Sequence, residues 1–202
     1  MESLLRDCRV LPVVTARDVA STVALARALQ RGGMRAIEIT LRTPAALEAI
    51  AAVRDEVPEI LVAAGTVNTP QDVERVVAAG VGLALSPGAT PQLLAAAAEA
   101  PLDFIPGIAS ASELMAAQAH GFGICKLFPA AVLGGIDLLR ALGGPFPEAR
   151  FCPTGGLGPD NFRDYLAQPN VVCCGGSWMV AGDLVSGGEW ETIESLAREA
   201  MH

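Results

Sequence analysis

One lysine, Lys126, stands among thirteen arginines in a chain of 202 residues. Arginine stays charged near neutral pH, whereas a desolvated lysine loses its proton readily. A position that needs a neutral amine therefore accepts lysine and rejects arginine. Lys126 lies in Ile124-Cys125-Lys126-Leu127-Phe128, an apolar run in which burial disfavours the ammonium form. A neutral amine attacks a carbonyl carbon, and the product is a Schiff base. The bland alternative is a salt-bridged core lysine, but buried lysines are rare and concentrate at working sites.

A second candidate is Glu38, in Ala36-Ile37-Glu38-Ile39-Thr40-Leu41-Arg42. Strand residues alternate between faces. Ile37, Ile39 and Leu41 share one face; Glu38, Thr40 and Arg42 share the other. A carboxylate inside an apolar strand is costly unless it is paired or working. A Glu38–Arg42 pair that merely satisfies itself is the structural alternative. Further along come Gly65-Thr66, where a glycine and a hydroxyl admit a ligand close to the backbone, and the turns Ser86-Pro87-Gly88 and Pro106-Gly107. Thr154-Gly155-Gly156 and Gly175-Gly176-Ser177 end two later apolar runs. Paired glycines expose backbone N–H groups that hold a phosphate without any cationic side chain.

These residues need a frame that brings them together. Short apolar runs recur at 10–14, 36–41, 60–64, 82–85, 103–106, 124–128, 150–153 and 171–174. Helical patterns follow at 19–31, 44–55, 70–79, 91–99, 111–119, 133–142, 159–166 and 189–200. Several open at a proline behind a threonine cap, as at Thr43-Pro44, Thr69-Pro70 and Thr90-Pro91. Several close on glycine, as at Gly32-Gly33 and Gly80. Eight strand–helix units in one short chain predict a single-domain (β/α)8 TIM barrel over residues 1–202, with a short N-terminal helix before strand one. A doubly wound sheet is the runner-up, but GxGxxG does not follow the first strand. In a barrel the chemistry gathers at the strands' C-terminal ends, with phosphate after strands seven and eight.

Composition narrows the function. The chain is 51% hydrophobic but only 4% aromatic, so small aliphatic residues build its core. A net charge of -8 with no basic stretch speaks against nucleic acid. Acidic residues interrupt the opening MESLLRDCRVLP, no apolar leader follows, and no run suits a bilayer. Five cysteines without CxxC spacing predict reduced core thiols and a cytoplasmic setting. His120 and His202 form no metal-binding pattern, so a metal-free mechanism is expected.

Taken in order, these segments resemble the 2-keto-3-deoxy-6-phosphogluconate (KDPG) aldolases, including the bifunctional 4-hydroxy-2-oxoglutarate type. The resemblance rests on residues 37–42, Gly65-Thr66-Val67, Ser86-Pro87-Gly88, Pro106-Gly107-Ile108, Lys126-Leu127-Phe128-Pro129, residues 150–156 and Gly175-Gly176-Ser177-Trp178. It implies a class I aldolase of the Entner–Doudoroff pathway, a homotrimer acting on a phosphorylated 2-keto acid without cofactor or metal. It implies Lys126 as the imine-forming residue and Glu38 as the general acid/base. Arg42, Thr66, Pro87, Phe128 and Thr154 are implied on the carboxylate and pyruvate side. Gly155, Gly156, Gly176 and Ser177 are implied on the phosphate side. Two rivals remain: a phosphate-binding barrel isomerase or synthase, and a non-catalytic sugar-phosphate sensor. Neither gives the buried lysine a covalent task.

Overall fold

The computed structural model describes residues 2–202. Helix α1 (Glu2–Cys8) leads into β1 (Val10–Val14), and strands then alternate with helices. The first half runs α2 (Val19–Arg31), β2 (Ala36–Thr40), α3 (Ala46–Glu56), β3 (Leu61–Gly65), α4 (Pro70–Ala78), β4 (Leu83–Leu85) and α5 (Pro91–Glu99). The second half runs β5 (Asp103–Ile105), β6 (Gly107–Ile108), α6 (Ala111–Ala119), β7 (Ile124–Leu127), α7 (Gly135–Gly143), β8 (Arg150–Phe151), α8 (Phe162–Leu166) and β9 (Cys174–Gly176). A 3-10 turn (Trp178–Val180), α9 (Gly182–Gly187) and α10 (Trp190–Met201) complete the chain.

The pairings of the named strands are parallel. One sheet has the order β5-β4-β3-β2-β1-β9, and β6-β7-β8 form a second. The expected fifth strand is split at Pro106, whose nitrogen has no hydrogen to give a ladder. Its first half pairs with β4 and its second with β7. Isolated bridges Phe151↔Val171 and Thr154↔Gly175 set β8 beside the last strand. The molecule is thus one α/β domain built on a curled parallel sheet.

Local chemistry explains most boundaries. Thr69 caps α4 in a reciprocal box with Asp72, and Thr90 accepts from Leu93 N at the start of α5. Thr43 does not cap α3. Its hydroxyl donates to Ala16 O across the neighbouring loop, so α3 begins at Ala46 without a side-chain cap. Gly33 and Gly80, at φ +95° and +69°, turn the chain out of α2 and α4 in a backbone region that side chains avoid. The last strand lies later than expected, at Cys174–Gly176, and two short elements after Ser177 were not expected at all.

Alternation sorts the core. Ile37 and Ile39 pack outward with residues of α2, α3 and α10 in one large apolar cluster. Leu11, Ala36, Ala63, Leu83, Leu85, Ile105, Cys152 and Cys173 pack on the concave side, joined by Leu5 and Cys8 of α1. That interior leaves one stretch for polar groups, where Glu38, Thr40 and Lys126 are buried.

Candidate active site

Lys126 sits on β7, with Gly107 of β6 beside it in register and its backbone N–H donating to Pro106 O at 2.8 Å. Its residue is only 4% exposed. The ammonium donates to Glu38 Oε1 at 2.9 Å and Oε2 at 3.2 Å. The Phe128 ring centroid lies 5.8 Å from Nζ, within cation–π range. Glu38 is 1% exposed, on β2, and 88 residues away in sequence. Its partner is therefore Lys126 and not Arg42.

Small residues make room for this pair. A Cβ on Gly65 would fall 2.2 Å from Glu38 Oε1 and 2.8 Å from its Cδ. The bare backbone of β3 is what lets the carboxylate lie across to Lys126. Thr40, two residues on from Glu38, donates to Val14 O at 2.9 Å and ties β2 to β1. Arg42 lies beyond β2 on the exposed rim, where its Nε donates to Thr66 Oγ1 at 3.1 Å. Thr66 holds φ at +59°, an uncommon and strained value for a β-branched residue.

Thr154 is buried on the other side of Lys126. A Cβ on Gly175 would meet its Oγ1 at 2.2 Å, so this glycine too leaves space for a polar side chain. Gly155 and Gly156 follow at φ +96° and +80°. Their turn is pinned by Ala130 N to Thr154 O at 2.8 Å and Ala131 N to Gly155 O at 3.0 Å. A Cβ on Gly176 would strike the Trp178 indole. Beneath these groups, Cys173 donates to Cys152 Sγ at 3.3 Å. That bond lowers the Cys152 pKa against the opposing effect of burial, with the Lys126 charge adding to it, and raises that of Cys173.

A cavity of about 130 Å³ opens over Lys126. Among the expected residues, Arg42, Lys126, Phe128, Thr154, Gly155, Gly156, Gly176 and Ser177 line it. Val13, Leu157 and Gly175 line it too and were not singled out. Gly175 was visible as half of a glycine pair, whereas Val13 and Leu157 are apolar residues with no distinguishing signal. Glu38 stands behind Lys126 and Thr66 behind Arg42. Pro87 does not line this cavity; its backbone packs against Gly107, whose absent Cβ would lie 2.2 Å from the Pro87 carbonyl carbon. The lining holds two cations and no carboxylate, so it suits an anion although the whole chain is acidic.

Among the described residues, no three His, Cys, Asp or Glu side chains are grouped to hold a metal ion, and no helix is long and apolar enough to cross a membrane. His120 ends α6 with its ring Nδ1 2.8 Å from Ala116 O.

A family model described as KDPG and KHG aldolase matches residues 1–196. The chain is 48% identical over 200 residues to the KHG/KDPG aldolase of Escherichia coli K12, covering 99% of this chain and 94% of that protein. Among solved structures it matches a KDPG aldolase from Legionella pneumophila with a TM-score of 0.95 and 42% identity, over 98% of this chain and 96% of that one. That protein holds pyruvate as a covalent carbinolamine intermediate. A KDPG aldolase of Zymomonas mobilis ZM4 with 3-phosphoglycerate matches at TM-score 0.91 and 38% identity, over 98% of this chain and 93% of that one.

Proposed function

The chain belongs to the KDPG and KHG aldolase family, and we propose that it works through an imine on Lys126. It is a carbon–carbon lyase of class I. Its substrates are 2-dehydro-3-deoxy-6-phosphogluconate, cleaved to pyruvate and D-glyceraldehyde 3-phosphate, and 4-hydroxy-2-oxoglutarate, cleaved to pyruvate and glyoxylate. The observation that carries this is the buried Lys126–Glu38 contact of 2.9 Å at the floor of a cationic cavity.

Transfer of a proton from Nζ to Glu38 leaves a neutral amine facing the substrate ketone. The amine adds to C2, and Glu38 returns protons so that the carbinolamine loses water. The protonated imine then draws in the electrons of the C3–C4 bond. Glu38, directly or through a water, takes the C4 hydroxyl proton as that bond breaks and the aldehyde departs. Protonation of the enamine at C3 and hydrolysis release pyruvate and free Lys126. The iminium is itself the electron sink, so the scheme calls on no metal or organic cofactor.

Arg42 and Thr66 hold the substrate carboxylate, with Thr154 and Phe128 around the pyruvate carbons. Gly155, Gly156, Gly176 and Ser177 face the phosphate. Pro87 contributes by holding Gly107 beside Lys126. We read the curled sheet as an eight-stranded (β/α)8 barrel over residues 1–202, counting β5 and β6 as one strand; the bridges at Val171 and Gly175 support its closure. Family membership supports a homotrimer in the cytoplasm, and the exposed Val132, just after the Lys126 strand, suits a subunit contact.

Borohydride reduction in the presence of pyruvate, followed by intact mass, tests the imine. The reduced pyruvate adduct is expected on the wild type and absent from Lys126→Arg. The N-terminal amine is the other primary amine available, and peptide mapping separates the two. A wild-type adduct that maps away from Lys126 would sink the assignment.

A further inference from the structure

Beside the Lys126 cavity lies a second one of about 480 Å³. The two share Val13, Arg42 and Ser177 as walls. The second adds Arg17 and hydroxyls, including those of Thr15 and Ser21, and again no carboxylate lines it.

Arg17 is unusual among the arginines. Ten of the thirteen give a side-chain hydrogen bond or ion pair to the protein; among the described residues Arg9, Arg17 and Arg35 give none. Arg9 and Arg35 precede β1 and β2, at the sheet end away from the catalytic rim. Arg17 follows β1, on the same rim as Thr66 and Ser177. The adjacent carboxylate, Asp18, is turned to Ser21, accepting from its N at 2.8 Å and its hydroxyl at 2.7 Å. The Arg17 guanidinium instead lies against bare backbone: a Cβ on Gly182 would fall 2.8 Å from Nη2. An acidic protein thus keeps two guanidiniums without a carboxylate partner among the described residues at the mouth of its site: Arg42, on the Thr66 hydroxyl, and Arg17, which gives the protein no hydrogen bond.

Size gives that cation a task. The Lys126 cavity, about 130 Å³, is much smaller than the second cavity of about 480 Å³ that adjoins it. Its glycine-lined end meets the second cavity at Ser177, where the phosphate end of a six-carbon acid bound through Lys126 arrives. We propose that the second cavity is an anion subsite for the aldehyde half of the substrate, in which Arg17 selects an aldehyde half bearing a phosphate. This rests on the aldolase reading above. Ser177, common to both cavities, places the phosphate between the glycine N–H groups and the guanidinium fork, which matches phosphate oxygens two at a time.

The test compares wild type with Arg17→Gln on both substrates. Loss of a charge-assisted hydrogen bond predicts that the kcat/KM ratio, phosphorylated substrate over 4-hydroxy-2-oxoglutarate, falls about 10- to 100-fold, mostly through KM. Gly182→Ala, which displaces the guanidinium without removing it, should shift the ratio the same way. A ratio unchanged in Arg17→Gln, or an equal loss on both substrates, overturns the proposal. Calorimetric titration with inorganic phosphate gives a readout free of turnover. Weaker binding in Arg17→Gln is expected, and unchanged binding overturns the subsite. A wild type that cleaves neither substrate defeats the aldolase reading, and the phosphate titration still judges Arg17.

Discussion

Glu38 reaches Lys126 because the chain crossing it has no side chain. Gly65 is therefore a positioning residue: its missing Cβ is the space that the carboxylate occupies. Removing the carboxyl function in Glu38→Gln should slow cleavage about 10²–10⁴-fold, the range for losing a positioned acid/base. Gly65→Ala leaves the carboxylate in the protein but pushes it from its seat. Its kcat should fall towards that of Glu38→Gln. Adding the shorter Glu38→Asp to Gly65→Ala should cost less than the two changes do separately, as expected for groups in contact. Steady-state kinetics on the four variants decide this, and strictly additive losses would remove Gly65 from the site. The buried ion pair also carries a structural risk. Deleting one partner of such a pair typically costs about 3–5 kcal/mol, so Glu38→Gln, which keeps an acceptor, is a safer probe than Glu38→Leu.

Between elements, the close approaches are again made at glycines. Gly32, at the end of α2, lies against α10: a Cβ there would sit 2.5 Å from the Ala197 Cβ and 2.7 Å from Glu194 O. The second of these is backbone, which cannot swing aside. The helices are also linked by the Arg31–Glu194 pair at 2.8 Å, but that pair is partly exposed and its contribution is small. Packing therefore dominates. Gly32→Ala should destabilise the fold by about 1–3 kcal/mol through overpacking, outweighing the gain from a less flexible unfolded chain. Urea unfolding measures it, and a variant as stable as wild type would show that α10 shifts freely. This contact joins the first strand–helix unit to the last helix, so it belongs to the closing of the domain.

At the scale of the whole molecule, the interior is rich in buried thiols. Burial pushes Cys8 up to about 11 and Cys125 up to about 12, and raises Cys174 further. Tyr165 is raised by burial as well. In the unfolded chain these thiols ionise near pH 9. Between that pH and the raised folded values, the native state holds protons that the unfolded state has released, so stability falls as pH rises. The urea midpoint should hold up to about pH 8.5 and decline steadily towards pH 11. Cys125→Ala should flatten that decline. A midpoint independent of pH across this window would contradict the burial of these groups.

Much of this was legible in the sequence. Period-two alternation put Glu38 and Thr40 on the concave face and Ile37 and Ile39 on the other, because a strand's geometry is local. The solitary Lys126, the threonine caps at Thr69 and Thr90, and the paired glycines at 155–156 and 175–176 were likewise readable, since each depends on a few neighbouring residues. What needed the tertiary structure was which side chains meet. Glu38 could have paired with Arg42, four residues away, and the curl of the sheet gave it to Lys126 instead. The same curl turned Thr43 to Ala16 and kept Pro87 out of the cavity over Lys126. It also brought Arg17 to the same cavity as Ser177, which follows the last strand. Residue chemistry and local periodicity are properties of short segments. Contacts between residues far apart follow from register and closure, which only the packed sheet decides.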